Sequence, residues 1–130
     1  MKTELFISTI LLFVGCSTIT PPSHAPDIHI FQIRCCGSME PTIQNGDLVH
    51  VDKNFPFEDL EIGDVIEFQT YQKKLLHRII GSDEDGWVMK GDANRNRDIT
   101  RVTKDNYLGK MVKIESLGLD LPDFYEKIEL

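Results

Sequence analysis

The chain is punctuated so often that long helices have little room. Ile28–Arg34, Leu48–Asp52, Val65–Tyr71, Leu75–Gly81, Gly86–Met89 and Leu108–Ile114 are short runs rich in β-branched and aromatic residues. Such side chains fit a pleated, half-buried surface better than they fit a helix. Asn45-Gly46-Asp47, Gly63-Asp64 and Ser82-Asp83-Glu84-Asp85-Gly86 separate several of these runs with residues that favour turns. Many short strands joined this way predict an all-β, mainly antiparallel structure, a small partly closed barrel or coiled sheet. Pro122 to Glu129 predicts a short terminal helix.

The 130 residues suit one domain, and setting aside the N-terminal segment leaves roughly 100 residues to build its core. A hydrophobic content of 41% and a charged content of 27% are those of an ordinary globular protein. The net charge of −7 argues against nucleic acid as the main partner, since phosphate binding favours a basic face. The sequence does not define an oligomeric state.

Residues 1–16 have a different character. Lys2 precedes the apolar run Leu5–Gly15, which is followed by Cys16. A basic start and an apolar centre are the marks of a secretory signal. As a helix, eleven residues reach roughly 16 Å, about half of a ~30 Å hydrocarbon core. Val14-Gly15-Cys16 resembles a bacterial lipobox, which makes Cys16 a lipidation candidate. An uncleaved short anchor and a cleaved secretory signal are the other two readings. All three place the domain outside the cytoplasm or at a membrane face, and the expected location is membrane-associated, on the extracytoplasmic face. Residues 17–27, with Pro21, Pro22 and Pro26, read as an extended tether, and residues 28–130 as the folded unit.

The chemistry concentrates in Cys36-Gly37-Ser38-Met39-Glu40-Pro41-Thr42-Ile43. Glycine before the serine and proline three residues after it suit a hydroxyl held on a tight bend. Serine is a weak nucleophile without a base. His77, in Leu75-Leu76-His77-Arg78-Ile79-Ile80, can supply one, because an imidazole ordinarily exchanges its proton near neutrality. Strand alternation puts Leu75, His77 and Ile79 on one face, where a histidine can equally be a satisfied core residue. Asp92 and Asp98 lie in one loop, Lys90-Gly91-Asp92-Ala93-Asn94-Arg95-Asn96-Arg97-Asp98, and spacing leaves open which reaches the ring. Asp92-x-Asn94-x-Asn96-x-Asp98 imitates the start of a calcium loop. Arg97 and Thr103 stand where that motif needs glycine and glutamate, so no metal is expected. No cofactor is expected either. Adjacent Cys35 and Cys36 are poorly placed to bridge each other and are expected on opposite faces of a strand.

Taken in order, G-S-M-E-P-T-I at Gly37, G-D-L-V-H-V-D at Gly46, G-D-V-I-E-F at Gly63, L-L-H-R-I-I-G at Leu75, K-G-D-A-N-R-N-R-D at Lys90 and L-G-K-M-V at Leu108 resemble the boxes of type I signal peptidases. The match is to the branch of archaea and the endoplasmic reticulum, where histidine replaces the lysine base, and it runs from about Ile33 to about Ile114. The resemblance implies the β fold of that family. It also implies a serine endopeptidase in which Ser38 attacks, His77 carries the proton and Asp98 orients His77, with Asp92 in support. Its substrate would be an exported precursor, bound extended along a strand edge and cut after small residues through an acyl-enzyme. Met39 and Pro41, beside the nucleophile, are the expected substrate contacts. The oxyanion region would comprise Cys36, Gly37 and Ser38. In the lysine branch a hydroxyl occupies the position of Cys36, and a thiol is a weaker donor. Two other functions share parts of this pattern: a catalytically weak binding or assembly lipoprotein, and a self-cleaving protease of the repressor type.

Overall fold

In the computed structural model, residues 23–34 and 37–117 are described. Six strands form one sheet: β1 Ile28–Gln32, β2 Leu48–Asp52, β3 Val65–Gln69, β4 Lys74–Asp83, β5 Gly86–Lys90 and β6 Tyr107–Glu115. Their spatial order is β1-β2-β6-β3-β4-β5, and every pairing is antiparallel. Two 3₁₀ turns, Gly37–Met39 and Phe57–Asp59, are the helical elements of the described residues. The chain is all-β, as its punctuation predicts. The sheet is not closed; β1 and β5 are its edges.

Strand ends differ from the sequence expectation where local hydrogen bonds compete. β3 stops at Gln69 rather than Tyr71, because the Thr70 hydroxyl accepts the Lys73 N–H at 3.1 Å and closes the hairpin. β4 runs on through Asp83, past the expected Gly81, with a register shift between Ile79 and Gly81. β1 ends at Gln32 rather than Arg34. Beyond it, Ile33 bonds irregularly to the following turn through Asp47 O at 2.9 Å and the Gly46 N–H at 2.7 Å.

Both faces of the sheet are covered, by two clusters. Leu60, Ile66, Phe68, Ile79, Met89 and Val102 form one. Met39, Ile43, Val49, Val51 and Val65 form the other, joined by Phe31, Ile33 and Leu76. Phe68 and Ile66 are fully buried, each contributing roughly 1.5–3 kcal/mol by the usual transfer scale. Met39 and Ile43 flank the serine-bearing segment, so the second cluster anchors that segment by its apolar residues.

The loop after β5 is held equally firmly. Trp87 and Val102 exchange backbone hydrogen bonds of 2.9 and 3.1 Å, and the Asp98 N–H reaches Met89 O at 2.7 Å. Gly86 enables this approach: at φ +131° a side chain would be strained, and its Cβ would lie 2.5 Å from Val102 O. At the far end of β2, buried Asp52 accepts the Asp27 and Asn54 N–H groups at 3.0 Å and lies 2.6 Å from His24 Nε2. The last residues of the expected tether are thereby bound to the sheet. The apolar N-terminal segment, Cys16, Cys35, Cys36 and the expected helix from Pro122 lie outside the described residues. Among the described residues no helix is long and apolar enough to cross a membrane.

Candidate active site

Ser38 occupies the middle of the 3₁₀ turn Gly37–Met39, half-buried between two anchored neighbours. The turn closes through the Glu40 N–H on Gly37 O at 3.1 Å, and the Ile43 N–H on Met39 O at 3.0 Å continues it. Gly37 does not serve here as the provider of an unusual backbone angle. Its φ is not left-handed, and the atoms nearest an added Cβ belong to the end of the exposed Glu40 side chain, with its carboxyl carbon at 2.9 Å. From the other side, the Ala93 N–H donates to Ser38 O at 2.8 Å, joining the turn to the loop after β5.

His77 projects from β4, opposite Ile66, and is 4% exposed. The Phe68 ring meets it edge-on, with centroids 6.3 Å apart. Both ring nitrogens are engaged. Nε2 lies 3.1 Å from Ser38 Oγ, and Nδ1 lies 2.6 Å from Asp98 Oδ2. A carboxylate can only accept, so Asp98 selects the tautomer with hydrogen on Nδ1. Nε2 is then left as an acceptor aimed at the Ser38 hydroxyl. Serine and histidine, 39 residues apart in sequence, share one hydrogen bond here.

Asp92, the other candidate carboxylate, faces elsewhere. It takes a two-pronged contact from Arg78, Nε at 2.8 Å and Nη2 at 2.7 Å, and a hydroxyl bond from Thr42 at 2.6 Å. The Arg78 guanidinium holds the Asp92 carboxyl below the usual carboxylate range, overcoming burial, with help from Thr42. The same contact raises the already high pKa of Arg78. Arg78 Nη1 also donates to Gly63 O at 2.8 Å. Asp92 therefore links the segment after the serine, through Thr42, to the strand bearing the histidine, through Arg78. Neither Thr42 nor Arg78 was singled out from sequence. The available signals were an arginine next to the histidine, facing the other side of its strand, and a hydroxyl inside the serine motif.

Three curated proteins are similar to this chain. Signal peptidase I W of Bacillus subtilis is 33% identical over 66% of this chain and 45% of its own length. The signal peptidase complex catalytic subunit SEC11 of Fusarium vanettenii is 28% identical over 94% of this chain and 73% of that protein. SEC11 of Saccharomyces cerevisiae is 29% identical over 85% and 66%. These similarities support a type I signal peptidase family. No family model matches it, and no solved structure matches it. The chain spans less than half of the Bacillus relative.

The serine and histidine open onto a cleft of about 490 Å³. Phe31, Ile33, Met39, Ile43 and Leu76 give it apolar walls, and Lys73, Lys74, Glu67 and Asn94 supply the polar groups. Met39 lines the cleft. Pro41 is exposed and outside the cleft lining, although Met39 before it and Ile43 after it both line the cleft. Cys36, expected in the oxyanion region, lies outside the described residues. Among the described residues no cluster of His, Cys, Asp and Glu is placed to hold a metal ion. The Asp92 and Asp98 carboxylates of the calcium-like stretch are directed to Arg78 and His77 respectively.

Proposed function

We propose that this chain is a membrane-tethered serine endopeptidase of the signal peptidase type, cutting exported precursors after small residues through an acyl-enzyme. The observation that carries this reading is the unbroken contact from Ser38 Oγ to His77 to Asp98 beside an apolar cleft. In this scheme residues 28–130 are the catalytic unit, residues 1–16 direct it to the extracytoplasmic face of a membrane, Cys16 is the lipid acceptor, and residues 17–27 connect the two. The names of the relatives support a precursor polypeptide as substrate.

Ser38 Oγ adds to the scissile carbonyl carbon while its proton passes to His77 Nε2. Asp98 keeps its hydrogen bond to Nδ1 and balances the positive charge that develops on the ring. The Ser38 backbone N–H is the oxyanion donor in this scheme, with Cys36 as the neighbouring candidate. The imidazolium then protonates the departing amine, leaving an ester on Ser38. Water, deprotonated by His77, adds to that ester, and collapse returns the hydroxyl and releases the new carboxyl terminus. Met39 belongs to the substrate contacts and Asp92 to the supporting framework.

Extended binding has a physical basis in the sheet. β4 pairs with β3 from Lys74 onward, but its pairing with β5 begins only at Arg78. Lys74 to His77 therefore keep an open edge beside the cleft, where a peptide can add as a strand and place alternate side chains against the walls.

The test uses the full chain and a peptide bearing an Ala-x-Ala site, with products read by mass spectrometry. Cleavage after the second alanine, lost in Ser38→Ala, is the expected result. Undiminished cleavage in that variant would exclude Ser38 as nucleophile. Incubating the protein without peptide and looking for a shortened chain tests self-cleavage directly.

A further inference from the structure

The hairpin between β3 and β4 presents an aromatic residue and two lysines to solvent. Tyr71, at its tip, is 94% exposed, and Gln72, Lys73 and Lys74 beside it are exposed as well. This exposure is built in. The Thr70 hydroxyl donates to Lys73 O at 2.8 Å and accepts the Lys73 and Gln72 N–H groups, so the tip is a closed turn that turns its aromatic residue outward. Other lysines of the described residues have partners. Lys53, Lys104, Lys110 and Lys113 meet carboxylates, and Lys90 donates to Gly91 O. Among the described residues, the Lys73 and Lys74 ammonium groups make neither an ion pair nor a hydrogen bond. They also line one end of the cleft that holds Ser38 and His77. Glu67, the carboxylate in that lining, is engaged by Lys53 and does not offset them.

We propose that the β3–β4 tip, Tyr71 with Lys73 and Lys74, docks on an anionic bilayer surface and brings the adjoining end of the cleft to the membrane. This rests on the membrane-side placement above and adds the surface that meets the lipid. A chain of net charge −7 is repelled by an anionic surface as a whole, so a local basic cluster both overcomes that repulsion and sets the orientation. Tyrosine suits the headgroup level, with an apolar ring and a polar end. Lys73 and Lys74 supply the attraction, falling off within a Debye length. The exposed aromatic residue favours lipid over an acidic peptide as the occupant, since charge alone would serve the peptide.

The chain has one tryptophan, Trp87, on β5, so a Tyr71→Trp variant adds one reporter at the tip. Full-length protein would be reconstituted into vesicles whose lipids carry bromine near the headgroups. The added fluorescence should be quenched in phosphatidylglycerol-rich vesicles and far less in pure phosphatidylcholine. High salt should reverse it, and adding Lys73→Gln and Lys74→Gln should weaken the association about tenfold or more. Equal quenching in both lipids, or quenching indifferent to the lysines, overturns the proposal. So does a result in which the two lysines govern binding of an acidic peptide to lipid-free Ser38→Ala protein but leave quenching unchanged. The readout needs no proteolysis, so an inactive Ser38 site and a tip that ignores lipid are separate outcomes.

Discussion

Gly91→Ala tests the site through a residue outside the cleft lining. The Cβ added at Gly91 would lie 2.6 Å from the Ser38 carbonyl oxygen and 2.6 Å from Asn94 Nδ2. Ordinary contact begins at 3.4 Å, so each approach is 0.8 Å too close. Asn94 can swing aside. Ser38 O cannot do so freely, because it belongs to the backbone and is pinned by the Ala93 N–H. The serine turn must therefore move, and the 3.1 Å contact from Ser38 Oγ to His77 Nε2 has little slack before it ceases to be a hydrogen bond. A misplacement approaching 1 Å costs on the order of a hundredfold in turnover. Overpacking should lower stability by about 1–3 kcal/mol. The assay is kcat on the Ala-x-Ala peptide, measured well below the melting temperature, with Gly109→Ala as the comparison. That substitution would crowd Asp52 O and Val51 Cγ1, both at 2.7 Å, rather than Ser38 O. It should cost stability but spare turnover. Near-normal turnover in Gly91→Ala, or an equal loss in Gly109→Ala, would refute the reasoning.

Ser38→Ala and His77→Ala should each remove nearly all activity, and the double variant should be little worse, because the two act as one unit; additive losses in kcat/KM would count against that. Asp98→Asn should retain the fold yet reduce kcat by roughly 10³- to 10⁴-fold, since the amide can hold the ring but cannot balance an imidazolium; a loss below tenfold would leave Asp98 with only a structural role. Asp92→Asn should mainly reduce stability, by about 1–3 kcal/mol, through its bonds to Arg78 and Thr42. Its folded-state pKa is lowered, so that stabilisation is complete above the ordinary carboxylate range and lost as pH falls through the lower folded value. The melting-temperature gap between wild type and Asp92→Asn should therefore be widest near neutral pH and close in strong acid; a gap independent of pH would contradict the ion-pair origin.

Much of this molecule was legible before any coordinates. Runs of β-branched and aromatic residues between Gly/Asp turns specify strands because those preferences are local, and all six strands fall where the runs lie. Ser38 and His77 were candidates by residue type, each with a structural alternative, and only the order of the boxes paired them. Strand ends were less legible, because side chains such as the Thr70 hydroxyl compete with the ladder at distances that propensity does not register.

Which aspartate meets the imidazole was decided by the tertiary structure. Asp92 and Asp98 belong to one loop, and nothing in their spacing separates them. The difference arises because Asp98 is bonded through its backbone to Met89 on β5, while Asp92 is captured by Arg78 on the far face of the histidine's own strand. The displacement of Pro41 from the cleft, the role of Gly91 as clearance for Ser38 O, and the outward set of Tyr71 depend on the same kind of fact. Each follows from which segments the sheet brings within a few ångströms of one another, a long-range packing outcome that residue order does not encode locally.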